Sequence, residues 1–126
     1  MGRRFLLAVL VATAAVAAEH AAPRIDVAEA AKLVAEKKAV VIDSRSAERY
    51  AMQHIPGAIN VPLGTEAAYA PKLAKETRTI ITYCTCHAEE TALAAATNFE
   101  KAGIHDVRAL KGGLGEWQKQ GQALEP

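Results

Sequence analysis

Short apolar runs alternate along this chain with segments whose apolar residues recur at helical spacing. Residues 39–42 and 79–83 are continuous and mostly β-branched, which is typical of strands buried on both faces. The helical segment from Val27 is preceded by Asp26, and Glu29 follows three residues later, the spacing of a capping box. Strands that alternate with helices predict a single α/β domain, with a mainly parallel central sheet flanked by helices.

The same patterns predict the remaining elements. Helices are expected over residues 27–37, 47–52, 66–75 and 89–102, a brief strand within 54–62, a strand over 106–110, and a short final helix with Trp117. In parallel sheets, ligands bind beyond the carboxyl ends of the strands. Asp43, Cys84 and the Gly112-Gly113 turn all follow predicted strands. The sequence therefore predicts a site around Cys84.

The N-terminus has a pattern of its own. Arg3 and Arg4 precede an uncharged run over residues 5–18, and small residues occupy positions 16–18. These features predict a secretory signal peptide over residues 1–18 and an exported, periplasmic location. The apolar run is shorter than the roughly 20 residues of a membrane span. An uncleaved membrane anchor is the alternative, but we expect no stable membrane insertion after cleavage.

Length and charge restrict the remaining possibilities. The chain of 126 residues suffices for one domain, which we place at residues 24–122. Its formal net charge is +1, and basic residues are interspersed with acidic ones. Nucleic-acid binding requires clustered Lys and Arg, so we expect no nucleic-acid partner.

Cys84 carries the chemistry that we expect. It lies between a buried strand and the start of a helix, where backbone N–H groups and the helix dipole favour an anion. Both effects lower the pKa of a thiol and favour a thiolate nucleophile. The alternative is a buried structural cysteine. A structural disulfide with Cys86 would close only a minimal loop, so a reactive or metal-binding pair explains the two cysteines better.

Four segments resemble rhodanese-like sulfurtransferase domains, from about Ile25 to Trp117. They are VIDSR at residues 41–45, HIPGAINVP at 54–62, YC at 83–84 and LKGGLGEW at 110–117. All four follow in the order and at the separations of that family.

The resemblance implies sulfur transfer. Cys84 would attack the outer sulfur of a small donor, such as thiosulfate or a persulfide, and hold that sulfur as a persulfide. A thiol or a cyanide-like acceptor would then take it. Backbone amides of the following loop would cradle the outer sulfur, and the resemblance assigns this loop to Thr85, Cys86, His87, Ala88 and Glu89. Asp43 and Arg45 would support the site by pairing with each other or with loop backbone. No metal or other cofactor is implied.

The loop departs from the family pattern of Cys-x-x-Gly-x-Arg. His87 occupies the glycine position, and Glu89 occupies the arginine position. Glu89 and Glu90 suit a helix N-terminus, but each would repel a dianionic donor by about 1 kcal/mol at 4 Å in water. We therefore expect inefficient turnover of thiosulfate.

Several alternatives remain open for the loop. Cys86 could act as a resolving thiol that takes the sulfur or forms a transient disulfide with Cys84. Cys84, Cys86 and His87 could instead bind Cu(I) or Zn, or Cys86 and His87 could merely line the loop. A non-catalytic rhodanese-like module for binding or redox sensing is the rival function. A phosphatase would need a phosphate-binding arginine that the loop lacks.

Other marked residues have structural interpretations. We expect His54 to hydrogen-bond backbone, and Trp117 to pack in the core. Gly112 and Gly113 should provide unusual backbone angles and a close approach to the site.

Overall fold

Five parallel strands form the central layer in a computed structural model that describes residues 22–85 and 88–126. The strands are β1 (Arg24–Ile25), β2 (Ala39–Asp43), β3 (Ile59–Asn60), β4 (Thr79–Tyr83) and β5 (Val107–Leu110). Their order across the sheet is β1-β5-β4-β2-β3. The predicted α/β fold with a parallel sheet is confirmed. The predicted signal peptide at residues 1–18 lies outside the described residues, as do Cys86 and His87.

Helices cover both faces of this sheet. They are α1 (Val27–Ala35), α2 (Ala47–Met52), α3 (Glu66–Tyr69), α4 (Glu90–Lys101) and α5 (Gly113–Lys119). Asp26 caps α1, because its Oδ1 accepts a hydrogen bond from Glu29 N at 2.9 Å. The predicted cap is thus confirmed, although the Glu29 carboxylate lies near Arg108 at 3.5 Å.

Several predicted boundaries differ from the structure, and α1 ends at Ala35 instead of residue 37. The helix expected over residues 66–75 is α3 followed by a 3-10 turn, Ala70–Leu73, because Pro71 has no N–H for an α-helical bond. Glu89 adopts a left-handed conformation with φ of 53°, so α4 begins one residue later. Asp106 has φ of 52°, and β5 therefore begins at Val107. The two-residue strand β1 was not predicted, because two residues show no periodicity.

The apolar core lies on both faces of the sheet. Side chains alternate along each strand, so Val40 and Ile80 pack on one face with Phe99 of α4. Val41 and Ile81 pack on the other. Trp117 of α5 joins that second face, and its buried indole donates to the carbonyl of Ala123 at 2.9 Å. The predicted core position of Trp117 is confirmed.

The carboxyl ends of the strands meet at one edge. Asp43 of β2 is paired with Tyr83 of β4, so the residues that follow these strands, Ser44 and Cys84, are neighbours. Lys111 and Gly112 leave β5 at the same edge. Within residues 22–85 and 88–126, no helix is both long and apolar enough to cross a bilayer.

Candidate active site

Cys84 lies where β4 meets the loop before α4. The residue is 2% exposed and packs with Ala92 of α4 and Ala109 of β5. Thr82 connects the same elements, since its Oγ1 donates to the carbonyl oxygen of Ala92 at 2.7 Å. The carbonyl oxygen of Cys84 accepts a hydrogen bond from Leu114 N at 2.9 Å. Cys84 is therefore fixed by contacts to both α4 and α5.

Glycines make the contact with α5 possible. Gly112 and Gly113 have φ of 73° and 59°, a region that strongly favours glycine. A Cβ atom on Gly113 would overlap the carbonyl oxygen of Cys84. The structure confirms the unusual backbone angles and the close approach predicted for this pair.

Cys84 is disulfide-bonded in this structure, and Cys86 is the other cysteine of the chain. A disulfide-bonded sulfur is not a nucleophile. Thiolate chemistry requires prior reduction of this bond by thiol–disulfide exchange.

The predicted loop is only partly described. Thr85 and Ala88 are exposed, whereas Cys86 and His87 lie outside the described residues. The cradle of backbone amides stays a prediction. The metal-site alternative also rests on Cys86 and His87. Among the described residues, no group of three or more His, Cys, Asp and Glu side chains is arranged to hold a metal ion.

Asp43 and Arg45 form a buried ion pair on the β2 side of Cys84. Arg45 Nη2 lies 2.7 Å from Asp43 Oδ2, and Arg45 Nε lies 3.0 Å from Asp43 Oδ1. The Asp43 side chain is 0% exposed and that of Arg45 is 8% exposed. Arg45 Nη2 also donates to the carbonyl of Gln53 at 2.6 Å. The pairing expected for these residues is present, and it uses most of the donors of Arg45.

Tyr83 belongs to the same network. Its hydroxyl donates to Asp43 Oδ2 at 2.6 Å and accepts from Ile55 N at 3.1 Å. Burial of the phenol and its hydrogen bond to Asp43 raise the pKa of Tyr83 well above its usual value. Burial alone would lower the pKa of Arg45, but its hydrogen bond and ion pair with Asp43 raise that pKa overall. The network therefore keeps Tyr83 neutral and Arg45 charged.

A pocket of about 280 Å³ opens beside Cys84. Its lining includes Ser44, Arg45, Arg49, Thr85 and Thr91. Arg49 Nη1 lies 3.5 Å from Thr85 Oγ1.

Arg49 is a pocket residue that was not predicted, although the sequence carries a signal for it. Ser46 Oγ caps α2 by accepting from Arg49 N at 3.4 Å, which places Arg49 in the first turn. Helical side chains tilt toward the helix N-terminus, and α2 begins at the carboxyl end of β2. An arginine at this position therefore reaches back toward the site.

Glu89 is oriented differently from what the sequence suggested. Its Oε1 accepts a hydrogen bond from Gly112 N at 2.6 Å, and its Oε2 lies 3.3 Å from Arg24 Nε. The side chain lines a separate depression of about 480 Å³, together with Arg24 and Lys111. The predicted repulsion of an anionic donor assumed a carboxylate that faces the donor. The Glu89 carboxylate is instead paired on the β5 side of the loop.

His54 is held by backbone and by the C-terminal segment. Its Nδ1 lies 2.8 Å from the carbonyl oxygen of Tyr50, which agrees with the predicted role. Its Nε2 lies 3.2 Å from Glu125 Oε1, and the ring stacks on Tyr50 with centroids 3.9 Å apart. His54 does not line the Cys84 pocket.

Comparison with known proteins agrees with this geometry. A model of the rhodanese-like domain matches residues 26–120. This match covers well over half of the chain, so the chain belongs to the rhodanese-like domain family.

Individual relatives share part of the sequence, and two solved structures also share the fold. The crystal structure of the BH2092 protein from Bacillus halodurans is 31% identical with a TM-score of 0.72, covering 82% of this chain and 77% of that one. The thiosulfate sulfurtransferase of Pseudomonas aeruginosa is 29% identical with a TM-score of 0.74, covering 82% of this chain and 20% of that one. YrkF of Bacillus subtilis (strain 168), provisionally named a sulfur carrier protein, is 28% identical over 86 residues. That match covers 68% of this chain but only 45% of YrkF.

Proposed function

We propose that this chain is a sulfurtransferase that carries sulfane sulfur as a persulfide on Cys84. The main support for this proposal is the position of Cys84. It lies at the carboxyl end of a central parallel strand, beside an open pocket lined by two arginines. Membership of the rhodanese-like family supports this chemistry, as do a sulfurtransferase and a named sulfur carrier among the relatives.

The proposed reaction has two displacement steps at sulfur. The reduced Cys84 thiolate attacks the outer sulfur of a donor, and the bond from that sulfur to the rest of the donor breaks. The leaving group departs with the electron pair, as sulfite does from thiosulfate, and Cys84 becomes a persulfide. A thiolate or a cyanide-like acceptor then attacks the outer sulfur and releases the Cys84 thiolate. Neither step requires an external oxidant or reductant.

The surroundings of Cys84 favour its anionic form. The 12-residue helix α4 begins six residues after Cys84, and the positive end of its dipole faces the loop. Glu89 is paired with Arg24 instead of standing unpaired beside the sulfur. Arg45 and Arg49 both line the pocket, so the local charge favours a thiolate, a persulfide anion and an anionic donor.

The disulfide at Cys84 must be opened before either step. A small thiol or a dithiol reductant attacks the bond, and a second thiolate completes the exchange; the reductant is oxidised to its own disulfide. The protein should therefore be inactive as isolated under oxidising conditions and active after reduction.

Intact mass spectrometry tests the proposal. The protein is reduced, freed of reductant, and incubated briefly with thiosulfate or, separately, with an alkyl persulfide. We expect a gain of one sulfur atom that cyanide removes. Cys84→Ser should show no gain, whereas the matched control Cys86→Ser should still gain sulfur. Absence of the adduct with both donors would refute sulfur transfer.

A redox-responsive binding module is the second candidate, favoured by the observed disulfide at Cys84. In that role, Cys84 and Cys86 would switch between dithiol and disulfide without carrying sulfur. Only a loss of two hydrogen atoms on oxidation, with no sulfur gain from either donor, would support it. Partner binding that changes with oxidation in the wild type but not in Cys86→Ser would identify the switch.

We also propose that the chain is exported. The support is the pattern of Arg3 and Arg4 before the apolar run at residues 5–18. Cell fractionation with mass spectrometry of the mature N-terminus tests this proposal. A protein found in the cytoplasm with residues 1–18 retained would contradict it.

A further inference from the structure

Two side chains on the β2 side of the pocket are suited to bind an anion. We propose that Arg49 and the Ser44 hydroxyl hold the oxyanion end of the sulfur donor while its outer sulfur faces Cys84. This inference rests on the proposed function. It assigns the recognition of the donor to α2 and the end of β2, in place of the arginine that the loop lacks.

Ser44 provides the first observation. The residue is 1% exposed, and its Oγ has no hydrogen-bond partner among the described residues. Its backbone is fully paired, since Ser44 N donates to the carbonyl of Tyr83 and its carbonyl accepts from Leu63 N. Buried hydroxyls are nearly always hydrogen-bonded. Because Ser44 lines the Cys84 pocket, a ligand with an acceptor atom in that pocket would supply the missing partner.

Arg49 provides the second observation. Both arginines of the pocket carry a positive charge, but Arg45 is committed to Asp43 and to the carbonyl of Gln53. Arg49 forms no ion pair within the described part of the chain, and its contact with Thr85 Oγ1, at 3.5 Å, is at the limit for a hydrogen bond. Its guanidinium is thus available to a second acceptor. Guanidinium groups bind planar and tetrahedral oxyanions through paired N–H donors.

The charge of the pocket gives the class of ligand. None of the described residues that line it carries a carboxylate, and Glu89 is directed toward Arg24 and Gly112. Ser44 directly follows β2 and Arg49 belongs to α2, so both line the pocket on its β2 side. A donor with a terminal oxyanion can place its oxygens there and its sulfane sulfur at Cys84. A donor without an oxyanion has no oxygen atoms to place against Arg49.

Two donors separate this role from a structural one. Sulfur transfer by the reduced protein is followed with thiosulfate and with an alkyl persulfide that has no oxyanion group. We expect Arg49→Gln to raise the KM for thiosulfate by about 10-fold or more, with kcat changed by less than about 3-fold. Arg49→Lys should recover part of this loss, and Ser44→Ala should raise the same KM by a few fold. The KM for the alkyl persulfide should change by less than about 3-fold in all three variants, because this donor has no oxygen atoms for Arg49 and Ser44 to bind.

The control removes an arginine elsewhere. Arg78 precedes β4 at the opposite end of the strand from Cys84 and pairs with Glu76. Arg78→Gln changes the net charge equally and should not alter either donor's KM. An equal loss with both donors in Arg49→Gln, or no change with thiosulfate, would overturn the inference.

A binding measurement distinguishes failure of this inference from failure of the proposed function. Equilibrium dialysis measures thiosulfate binding to Cys84→Ser and to Cys84→Ser with Arg49→Gln. If the wild type transfers sulfur from neither donor, yet Cys84→Ser binds thiosulfate and loses it with Arg49→Gln, sulfur transfer is refuted and the anion site stands. If the second substitution leaves binding unchanged, or if Cys84→Ser binds no thiosulfate, the anion site is refuted.

Discussion

The two sides of Cys84 are held by different kinds of interaction. On the β2 side, Asp43, Arg45 and Tyr83 form a buried network in which the Asp43 carboxylate accepts from both other side chains. On the β5 side, the Arg24–Glu89 ion pair is partly exposed, with side-chain exposures of 43% and 12%. There the close contact is made by backbone, from α5 to the carbonyl of Cys84.

This difference predicts that the β2 side of Cys84 is rigid and that the β5 side can adjust. A buried charge is costly without its partner, so the β2 network admits one arrangement and gives the pocket a fixed wall. An exposed ion pair contributes little and can be exchanged for contacts with water. The surroundings of Cys84 are therefore rigid on the β2 side and more adaptable on the β5 side.

Loss of Arg45 should have the largest effect. Arg45→Met leaves the Asp43 carboxylate buried without its cation, which should lower the free energy of unfolding by about 3–5 kcal/mol. Arg45→Lys keeps the charge but loses the paired N–H geometry, and it should fall between Arg45→Met and the wild type. Urea unfolding followed by circular dichroism measures the differences.

The matched control is another arginine that pairs with an acid two residues earlier. Arg78 Nε lies 2.8 Å from Glu76 Oε1 on the surface, and this pair lowers the pKa of Glu76 to about 2. Arg78→Met should nevertheless change stability much less than Arg45→Met, because water replaces the lost partner. Equal effects of the two substitutions would show that burial does not distinguish these pairs.

Gly113→Ala should have the next largest effect, on the β5 side. The added Cβ would overlap the carbonyl of Cys84, and a left-handed conformation costs a non-glycine residue about 1–2 kcal/mol. With the steric term, we expect a loss of about 3 kcal/mol in stability, together with impaired sulfur loading of Cys84. Gly121→Ala separates the two terms: its φ is 82° but its Cβ would meet open space, so it should cost only about 1–2 kcal/mol. If Gly113→Ala loses no more stability than Gly121→Ala, the overlap with the Cys84 carbonyl has no measurable cost.

Tyr83→Phe tests the β2 network with a smaller change. Asp43 and Ile55 N each lose a hydrogen-bond partner, which should cost about 1–2 kcal/mol at neutral pH. Because the pKa of Tyr83 is raised in the folded state, its contribution is complete below the unfolded value of about 10 and is lost as the pH rises above it. The stability difference between wild type and Tyr83→Phe should therefore shrink between pH 9 and pH 11. A difference that stays constant over this range would contradict the assigned cause.

Much of the fold was predictable because its signals are local. The buried strands β2 and β4, the Asp26 cap and the turn at Gly112-Gly113 each follow from a few adjacent residues. Cys84 could be placed because the carboxyl ends of parallel strands converge. Pro71 carries a local signal as well, but helical periodicity on both sides of it suggested one continuous helix.

The side chains around the Cys84 pocket were less predictable, because their positions depend on how each side chain is oriented in the fold. Sequence order places Glu89 in the loop, but its left-handed conformation and the Arg24 partner from distant β1 turn its carboxylate away. Arg49 contacts Thr85 from 36 residues away. Such contacts depend on how helices pack on the sheet, which periodicity does not encode. The charge of the pocket could therefore be stated only after the fold was known.

Arg24→Gln should have the smallest effect on stability of all these substitutions. It tests how little the exposed ion pair on the β5 side contributes. Arg24 is substantially exposed, so loss of its ion pair with Glu89 should cost no more than about 0.5–1 kcal/mol. Glu89→Ala should cost more than Arg24→Gln, because Gly112 N also loses the acceptor at 2.6 Å. Urea unfolding of both variants beside Arg45→Met gives the comparison in one experiment. If Arg24→Gln proves as damaging as Arg45→Met, the Arg24–Glu89 pair is a structural anchor equal to the buried network, and the β5 side of Cys84 is as rigid as the β2 side.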